Sequence, residues 1–265
     1  MKKLITTILA LTLIFTSVIF LPSCQKTSAK TITIGYTDYA PMNYEDENGT
    51  LIGFDTELAT KMFKELGYEV RFKLIEWGNK YSELDAGTID CVWNGFTANT
   101  ADDDGIARSE KVDFSLYYMT NAQCIVKKAS DENVTSTAGF TGKTVAYEIG
   151  SAGETYVDGI TENINDKGVG SQMDALLSVK MGTADYAVVD VLLAQSVVGN
   201  GDYATLAINE GIELAGEYYA VGFKKGSDLT AKINELFVKY AESGYLMELA
   251  TKYGLENSII TEYDN

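Results

Sequence analysis

Arg71 and Arg108 are the only arginines in the chain, and there is no histidine. A guanidinium offers two parallel hydrogen bonds to one carboxylate, which a lysine ammonium cannot do. Arg71 falls in a strand-like stretch and suits a surface. Arg108 follows the acidic run Asp102-Asp103-Asp104, so it either pairs with those aspartates or holds a carboxylate from elsewhere. Gly150-Ser151-Ala152-Gly153 joins a strand-like to a helix-like segment. Free backbone N–H groups at such a turn can meet an anion; a plain serine N-cap is the alternative. Asp190 directly follows the apolar run Tyr186-Ala187-Val188-Val189. A carboxylate at the C-terminal end of a strand either points into the ligand crevice of an α/β protein or caps the next helix. Tyr39 and Trp77 stand in loops after strands, where a ring either stacks on a ligand or packs in a core. A bidentate cation, an anion-binding turn, an anion and two aromatics together suit a small zwitterion with a flat or apolar side chain.

The rest of the composition removes other chemistries. Without histidine there is no Ser-His-Asp triad, no Cys-His pair and no HExxH zinc site. The formal charge of −17 argues against a nucleic acid or an anionic membrane surface as partner. Three cysteines without a CxxC spacing make neither a zinc knuckle nor a redox motif. Cys91 and Cys124 read as small core residues rather than a disulfide. No cofactor is implied.

Elements must position these groups. Residues 31–36 alternate like a strand. Leu58, Met62, Phe63 and Leu66 have helical spacing, closed by Gly67. A strand over 68–75, a short helix over 80–86 and an apolar strand over 89–93 complete a β-α-β-α-β order. That order predicts a doubly wound α/β unit. The pattern then restarts. Strands are expected at 123–126, 144–147, 186–189 and 218–223. Helices are expected from 154, over 173–179, 192–198 and 229–243, and over 245–252. Two α/β halves in this length imply two lobes of small-domain size.

The start of the chain reads as an address. Lys2 and Lys3 precede an uncharged apolar run from Leu4 to Leu21, the pattern of a signal peptide. Leu21-Pro22-Ser23-Cys24 then resembles a bacterial lipobox, in which Cys24 is lipidated and becomes the first mature residue. An uncleaved anchor helix is the alternative; either way the rest lies outside the cell membrane. Residues 24–30 are short and polar and read as a tether.

The order of blocks resembles the extracellular solute-binding proteins of polar amino-acid ABC importers, the bacterial solute-binding proteins of family 3. The matching stretches are Tyr39-Ala40-Pro41-Met42, Gly53-Phe54-Asp55, Trp77 with Leu84, Gly87 and Asp90, and Asn94-Gly95-Phe96-Thr97. Arg108 with Phe114-Ser115, Gly142-Lys143-Thr144-Val145 with Gly150-Ser151, Asp185 with Asp190, and Asn234 with Leu236 follow. The resemblance spans essentially the whole mature chain. It implies a periplasmic-binding-protein-like (type II) fold, two α/β domains joined by two hinge strands. Lobe 1 would comprise 31–122 plus 219–265, lobe 2 would comprise 123–218, and 1–23 would be the lipoprotein signal peptide. It also implies an amino-acid ligand, an ABC-import permease as membrane partner, and a monomer anchored at the outer face of the bacterial membrane.

The resemblance further implies roles for single residues. Arg108 would hold the ligand α-carboxylate, with the backbone N–H groups of Ser151 and Ala152 reaching it from the other lobe. Asp190 would take the α-ammonium, helped by the Gly95 carbonyl and the Thr97 hydroxyl. Tyr39 and Trp77 would flank the side chain, Asn94 would read it, and Glu148 would line the same region. One departure stands out: the family places its arginine three residues after a threonine, whereas Ala101 to Ala107 separate Thr100 from Arg108 here. Two other functions use this fold: a dehydratase-like enzyme, for which Glu148 is the pocket acid or base available, and an extracellular sensory module. The zwitterion anchors favour binding over chemistry, and an end at Asn265 without a second span or signalling domain speaks against a sensor.

Overall fold

The computed structural model describes residues 30–263. The expected signal peptide, Cys24 and the tether through residue 29 lie outside the described residues. The chain enters with β1 (Lys30–Tyr36), a hairpin of β2 (Tyr44–Glu45) and β3 (Leu51–Ile52), and α1 (Phe54–Glu65). Next come β4 (Tyr68–Leu74), α2 (Lys80–Ala86), β5 (Cys91–Val92), the one-turn α3 (Arg108–Lys111) and β6 (Asp113–Phe114). A long strand, β7 (Met119–Lys128), leads to β8 (Thr144–Glu148), α4 (Ala152–Asp158), β9 (Asn165–Val169) and α5 (Gln172–Met181). Then follow β10 (Tyr186–Asp190), α6 (Val191–Val197), β11 (Leu206–Ile208), β12 (Gly216–Tyr219) and β13 (Gly222–Phe223). The helices α7 (Leu229–Glu242) and α8 (Tyr245–Lys252) complete the set.

Two sheets make the two lobes. The first has the order β4-β1-β5-β13-β6, the second β11-β7-β10-β8-β9, with β12 also paired to β7. β1 runs parallel to both β4 and β5, and β10 runs parallel to β8. A central parallel strand covered on both faces is buried along its length, and all five residues of β10 are buried. α1 turns Phe54, Leu58, Met62 and Phe63 onto the first sheet, where Trp93 packs edge-on against Phe63. In the second lobe Val145, Tyr147, Val157, Tyr186 and Val188 form a separate apolar cluster around Phe140. Cys91 and Cys124 are both buried and free.

The link between lobes is an antiparallel ribbon. Met119 pairs with Tyr219 and Ala122 with Gly216, while Lys128 at the far end of β7 pairs with Leu206 of the second sheet. One continuous strand was expected over 218–223, but the chain forms two. β12 runs along β7, and after Ala220 and Val221 the chain re-enters the first sheet as β13 between β5 and β6. β7 is longer than the four residues expected, because its first half has β12 as partner. β9 and β11 carry no strand signal in the sequence: β9 is Asn-Asp-Lys-Gly-Val, an edge strand whose polarity blunts open pairing. No helix among the described residues is long and apolar enough to cross a membrane.

Candidate functional site

A small enclosed cavity lies where the C-terminal ends of the central strands of both sheets face each other. Trp77, Asn94, Gly95, Thr97 and Arg108 line it from lobe 1; Glu148, Ser151, Ala152, Gln172 and Asp190 line it from lobe 2. Nine of the ten residues singled out in the sequence thus meet at one place. Tyr39 does not line it. Its ring lies behind Gly95, and its hydroxyl is 2.6 Å from that of Tyr219. Gly95 has a φ of 57°, and a Cβ there would come within 2.6 Å of the Tyr39 ring. Only glycine fits.

Arg108 opens α3 and is 1% exposed. The pairing with a neighbouring aspartate is present, on one edge of the guanidinium. Its Nε donates to Asp102 Oδ1 at 2.7 Å, Nη1 to the Thr97 carbonyl at 3.1 Å and Nη2 to the Gly150 carbonyl of lobe 2 at 3.2 Å. A guanidinium has five N–H donors, so one N–H remains on each terminal nitrogen for a carboxylate. The residues between Thr100 and Arg108 do not displace the arginine. Ala101 bridges Ala107, and the Arg108 N–H donates to the Thr100 carbonyl at 3.1 Å. The extra loop closes on itself and supplies Asp102, which also accepts from Lys111 Nζ at 2.8 Å. Burial alone would raise the Asp102 carboxyl, but the Arg108 charge and the Lys111 hydrogen bond outweigh it and hold it down at about 2.

The turn after β8 is held from both sides. Gly150 has a φ of 78°, and a Cβ there would come within 2.8 Å of the Gly78 Cα across the lobe boundary. Ser151 caps α4, its Oγ accepting from the Glu154 N–H at 3.2 Å. The Ser151 N–H already donates to the Glu148 carbonyl at 3.1 Å. The N–H expected to meet an anion is therefore spent inside the turn.

Asp190 is 5% exposed and sits at the N-cap position of α6, yet its side chain makes no capping bond. Oδ1 accepts from Asn121 Nδ2 at 2.5 Å and from Gln123 Nε2 at 2.7 Å, and Oδ2 accepts from Gln172 Nε2. A carboxylate has about four acceptor sites, and four side chains bond this one, the three amides and the Tyr219 hydroxyl. Every donor to it is uncharged. Burial raises its carboxyl above the usual range despite those bonds.

Asn94 is not free to read a ligand with its amide. Nδ2 donates to the Thr37 carbonyl at 2.9 Å and to Asn43 Oδ1 at 2.8 Å, and Oδ1 accepts from Thr37 at 2.7 Å. It ties down the loop carrying Tyr39. Thr97 Oγ1 donates to Glu217 Oε2 at 3.0 Å and keeps its lone pairs. Trp77 stands edge-on to Phe96, with ring centroids 5.1 Å apart.

Several polar residues of the site had no place in the sequence reading. Lys80 is 1% exposed, and its Nζ reaches the Gly150 carbonyl at 2.8 Å from the opposite lobe. Burial and the nearby Arg108 charge pull its ammonium down to about 7. Its spacing of four from Leu84 places it on the buried face of α2, a signal legible in the sequence. Asn121 and Gln123 alternate on one face of β7, and Glu217 on β12 shares their amides: Asn121 Nδ2 lies 2.8 Å and Gln123 Nε2 3.1 Å from Glu217 Oε2. Burial and the Asp190 charge push Glu217 up to about 7.

The comparisons agree with this architecture. The family model of bacterial extracellular solute-binding proteins, family 3, matches residues 32–256. The chain is 28% identical over 221 residues to the arginine-binding extracellular protein ArtP of Bacillus subtilis, covering 82% of each chain. It is 26% identical over 217 residues to the L-cystine-binding protein TcyJ of Escherichia coli, covering 81% of this chain and 79% of that one. Among solved structures, an ABC uptake transporter substrate-binding protein from Streptococcus pneumoniae with bound histidine superposes with a TM-score of 0.73. It has 32% identity, covering 84% of this chain and 92% of that one.

Proposed function

Because the chain belongs to the bacterial extracellular solute-binding proteins of family 3, we propose that it captures an amino acid between its lobes for an ABC import permease. The supporting observation is the pairing across one buried cavity of Arg108 from lobe 1, with one N–H left on each terminal nitrogen, and Asp190 from lobe 2, a carboxyl with no cationic partner among the described residues. The α-carboxylate takes the two remaining Arg108 N–H groups, the Ala152 N–H and the Ser151 hydroxyl. The α-ammonium donates to Asp190, the Gly95 carbonyl and Thr97 Oγ1. Trp77 flanks the side chain. Tyr39 acts from behind, by fixing Gly95.

A ligand held by both lobes favours the closed form by its differential affinity for that form. Closure about two strands is a general device of two-lobed binding proteins, and here the strands are β7 and β12. The lobe division that accompanies this reading is 31–122 with 219–265 against 123–218. A lipid on Cys24 would keep the monomer at the outer face of the membrane, where the permease meets the closed form. No bond is made or broken in this role. The relatives named above are binding proteins, and the charged groups at the site hold the two ends of a zwitterion.

The test is a thermal-shift screen of the purified protein, unfolded and refolded to strip bound ligand, against amino acids, cystine, sugars and dicarboxylates. A ligand that binds only the native state raises Tm by mass action. A rise with one or a few L-amino acids, lost in Arg108→Ala and Asp190→Asn, supports the reading. A rise with sugars or dicarboxylates alone would sink it. Recovery of the bound amino acid chemically unchanged distinguishes binding from catalysis.

A further inference from the structure

Glu148 is the last residue of β8, is 2% exposed and lines the cavity. Its Oε1 is buried without a hydrogen-bond partner among the described residues. A buried carboxylate oxygen left unpaired is costly, and this one belongs to a wall that a ligand would touch. The nearby cations are committed elsewhere. Lys80 Nζ bonds the Gly150 carbonyl and lies 4.6 Å from the Tyr81 ring centroid, and Arg108 Nε is paired with Asp102. Neither makes an ion pair with Glu148. The charge count around the cavity points the same way. Asp190, Glu148 and Glu217 face Lys80 and Arg108, and Arg108 is already matched by Asp102. A zwitterionic backbone adds no net charge, so with every group ionised the surplus is negative.

We infer that Glu148 reads the ligand's side chain, and that the ligand is an L-amino acid with a cationic side chain whose N–H groups meet Oε1. This rests on the amino-acid reading above and narrows it. Burial and the Asp190 charge push the Glu148 carboxyl up to about 8, against the opposing pull of Lys80, Gln172 and Arg108. Near neutral pH the ligand-free site therefore holds a proton there, and a cation takes that proton's place. Trp77, on the opposite wall, supplies apolar surface for the stem of a long side chain.

The experiment is a calorimetric titration of the stripped protein and of Glu148→Gln. The titrants are L-arginine, L-lysine and L-ornithine, with L-citrulline and L-glutamine as neutral counterparts. In the wild type, at least one cation should bind about tenfold or more tighter than citrulline, and its binding at pH 7 should release protons, seen as a heat that depends on the buffer. Glu148→Gln should shrink the cation-to-neutral ratio by about tenfold or more and lose part of the proton release. Preference for a neutral or apolar amino acid in the wild type overturns the inference, as does an unchanged ratio in the variant. Should the variant fail to fold, the wild-type panel decides alone. Binding of no amino acid at all is a different result, and overturns the amino-acid reading itself.

Discussion

The two walls of the cleft treat charge in opposite ways. On the lobe 1 side Arg108 is neutralised by a full anion, Asp102, which Lys111 also holds. On the lobe 2 side Asp190 is held by three neutral amides and has Glu148 and Glu217 as neighbours, two more acids. The first wall is a prepaired cation that keeps only its direction for a ligand. The second has more acids than cations to match them, so it takes up protons or an incoming cation. The difference teaches that the two walls of one cleft need not be electrically symmetric; on the reading proposed above, orientation would come from the fixed side and selectivity from the unbalanced one.

Removing the fixed side should have the largest effect. Arg108→Ala leaves Lys111 as the remaining ion-pair partner of Asp102 and removes the proposed carboxylate anchor, and breaking a buried pair of this kind costs about 3–5 kcal/mol. Ligand affinity should fall by more than about a hundredfold, and Tm without ligand should fall as well. Wild-type-like affinity by calorimetry would remove Arg108 from the site.

Asp190→Asn probes the other wall with little change of shape. Affinity should again fall by about a hundredfold or more. Without ligand, however, Tm should fall less than in Arg108→Ala, because a buried carboxyl without a cationic partner becomes a neutral amide, at the cost of one of the amide bonds to it. A fall in Tm matching that of Arg108→Ala would mean that the two walls are balanced alike, and the contrast drawn here would be lost.

The acidic surplus also predicts a pH dependence. Glu148 and Glu217 bind protons more tightly in the folded chain, at about 8 and about 7, than the usual 4.5. As pH rises from about 4.5 through those values the unfolded chain has already lost these protons while the folded chain must give them up, so stability falls. Asp102 acts in the reverse sense only in acid, between its usual 3.8 and about 2, and Lys80, drawn from 10.5 down to about 7, offsets part of the fall only above about 7. Ligand-free Tm should therefore drop between pH 5.5 and pH 8.5, test values taken as about one unit beyond the usual carboxyl range and just above Glu148. Glu217→Gln should flatten that slope. A slope unchanged by the substitution would locate the surplus elsewhere.

Lys80→Met should have the smallest effect. It removes a cross-lobe bond to Gly150 but also relieves a buried ammonium. Affinity should weaken by only a few-fold, through faster release, with Tm near that of the wild type. A loss as large as that of Arg108→Ala in stopped-flow dissociation would promote Lys80 to a principal anchor.

Much of the fold was legible locally. The helical spacing of Leu58, Met62 and Phe63 and the closing glycines after α2 and α5 mark elements that bury one face and end where a left-handed residue is needed. β9 and β11 were not legible, because an edge strand takes its conformation from the neighbour it pairs with. The break between β12 and β13 was invisible for a related reason. Residues 218–223 read as one apolar run, and only the partners, β7 on one side and β5 and β6 on the other, divide it.

The site divides along the same line. Residue type and order alone determined which groups could anchor a zwitterion, because a bidentate cation, a glycine-rich turn and a strand-end carboxylate are set by covalent chemistry and local conformation. Tertiary structure decided how each was spent. It took the Asn94 amide and the Ser151 N–H for internal bonds, set Tyr39 behind Gly95, folded the loop before Arg108 into a source of Asp102, and brought Lys80, Gln172 and Glu217 to the cleft. Hydrogen bonds and charges inside a protein are shared among residues far apart in the chain, so their balance exists only once those residues have met.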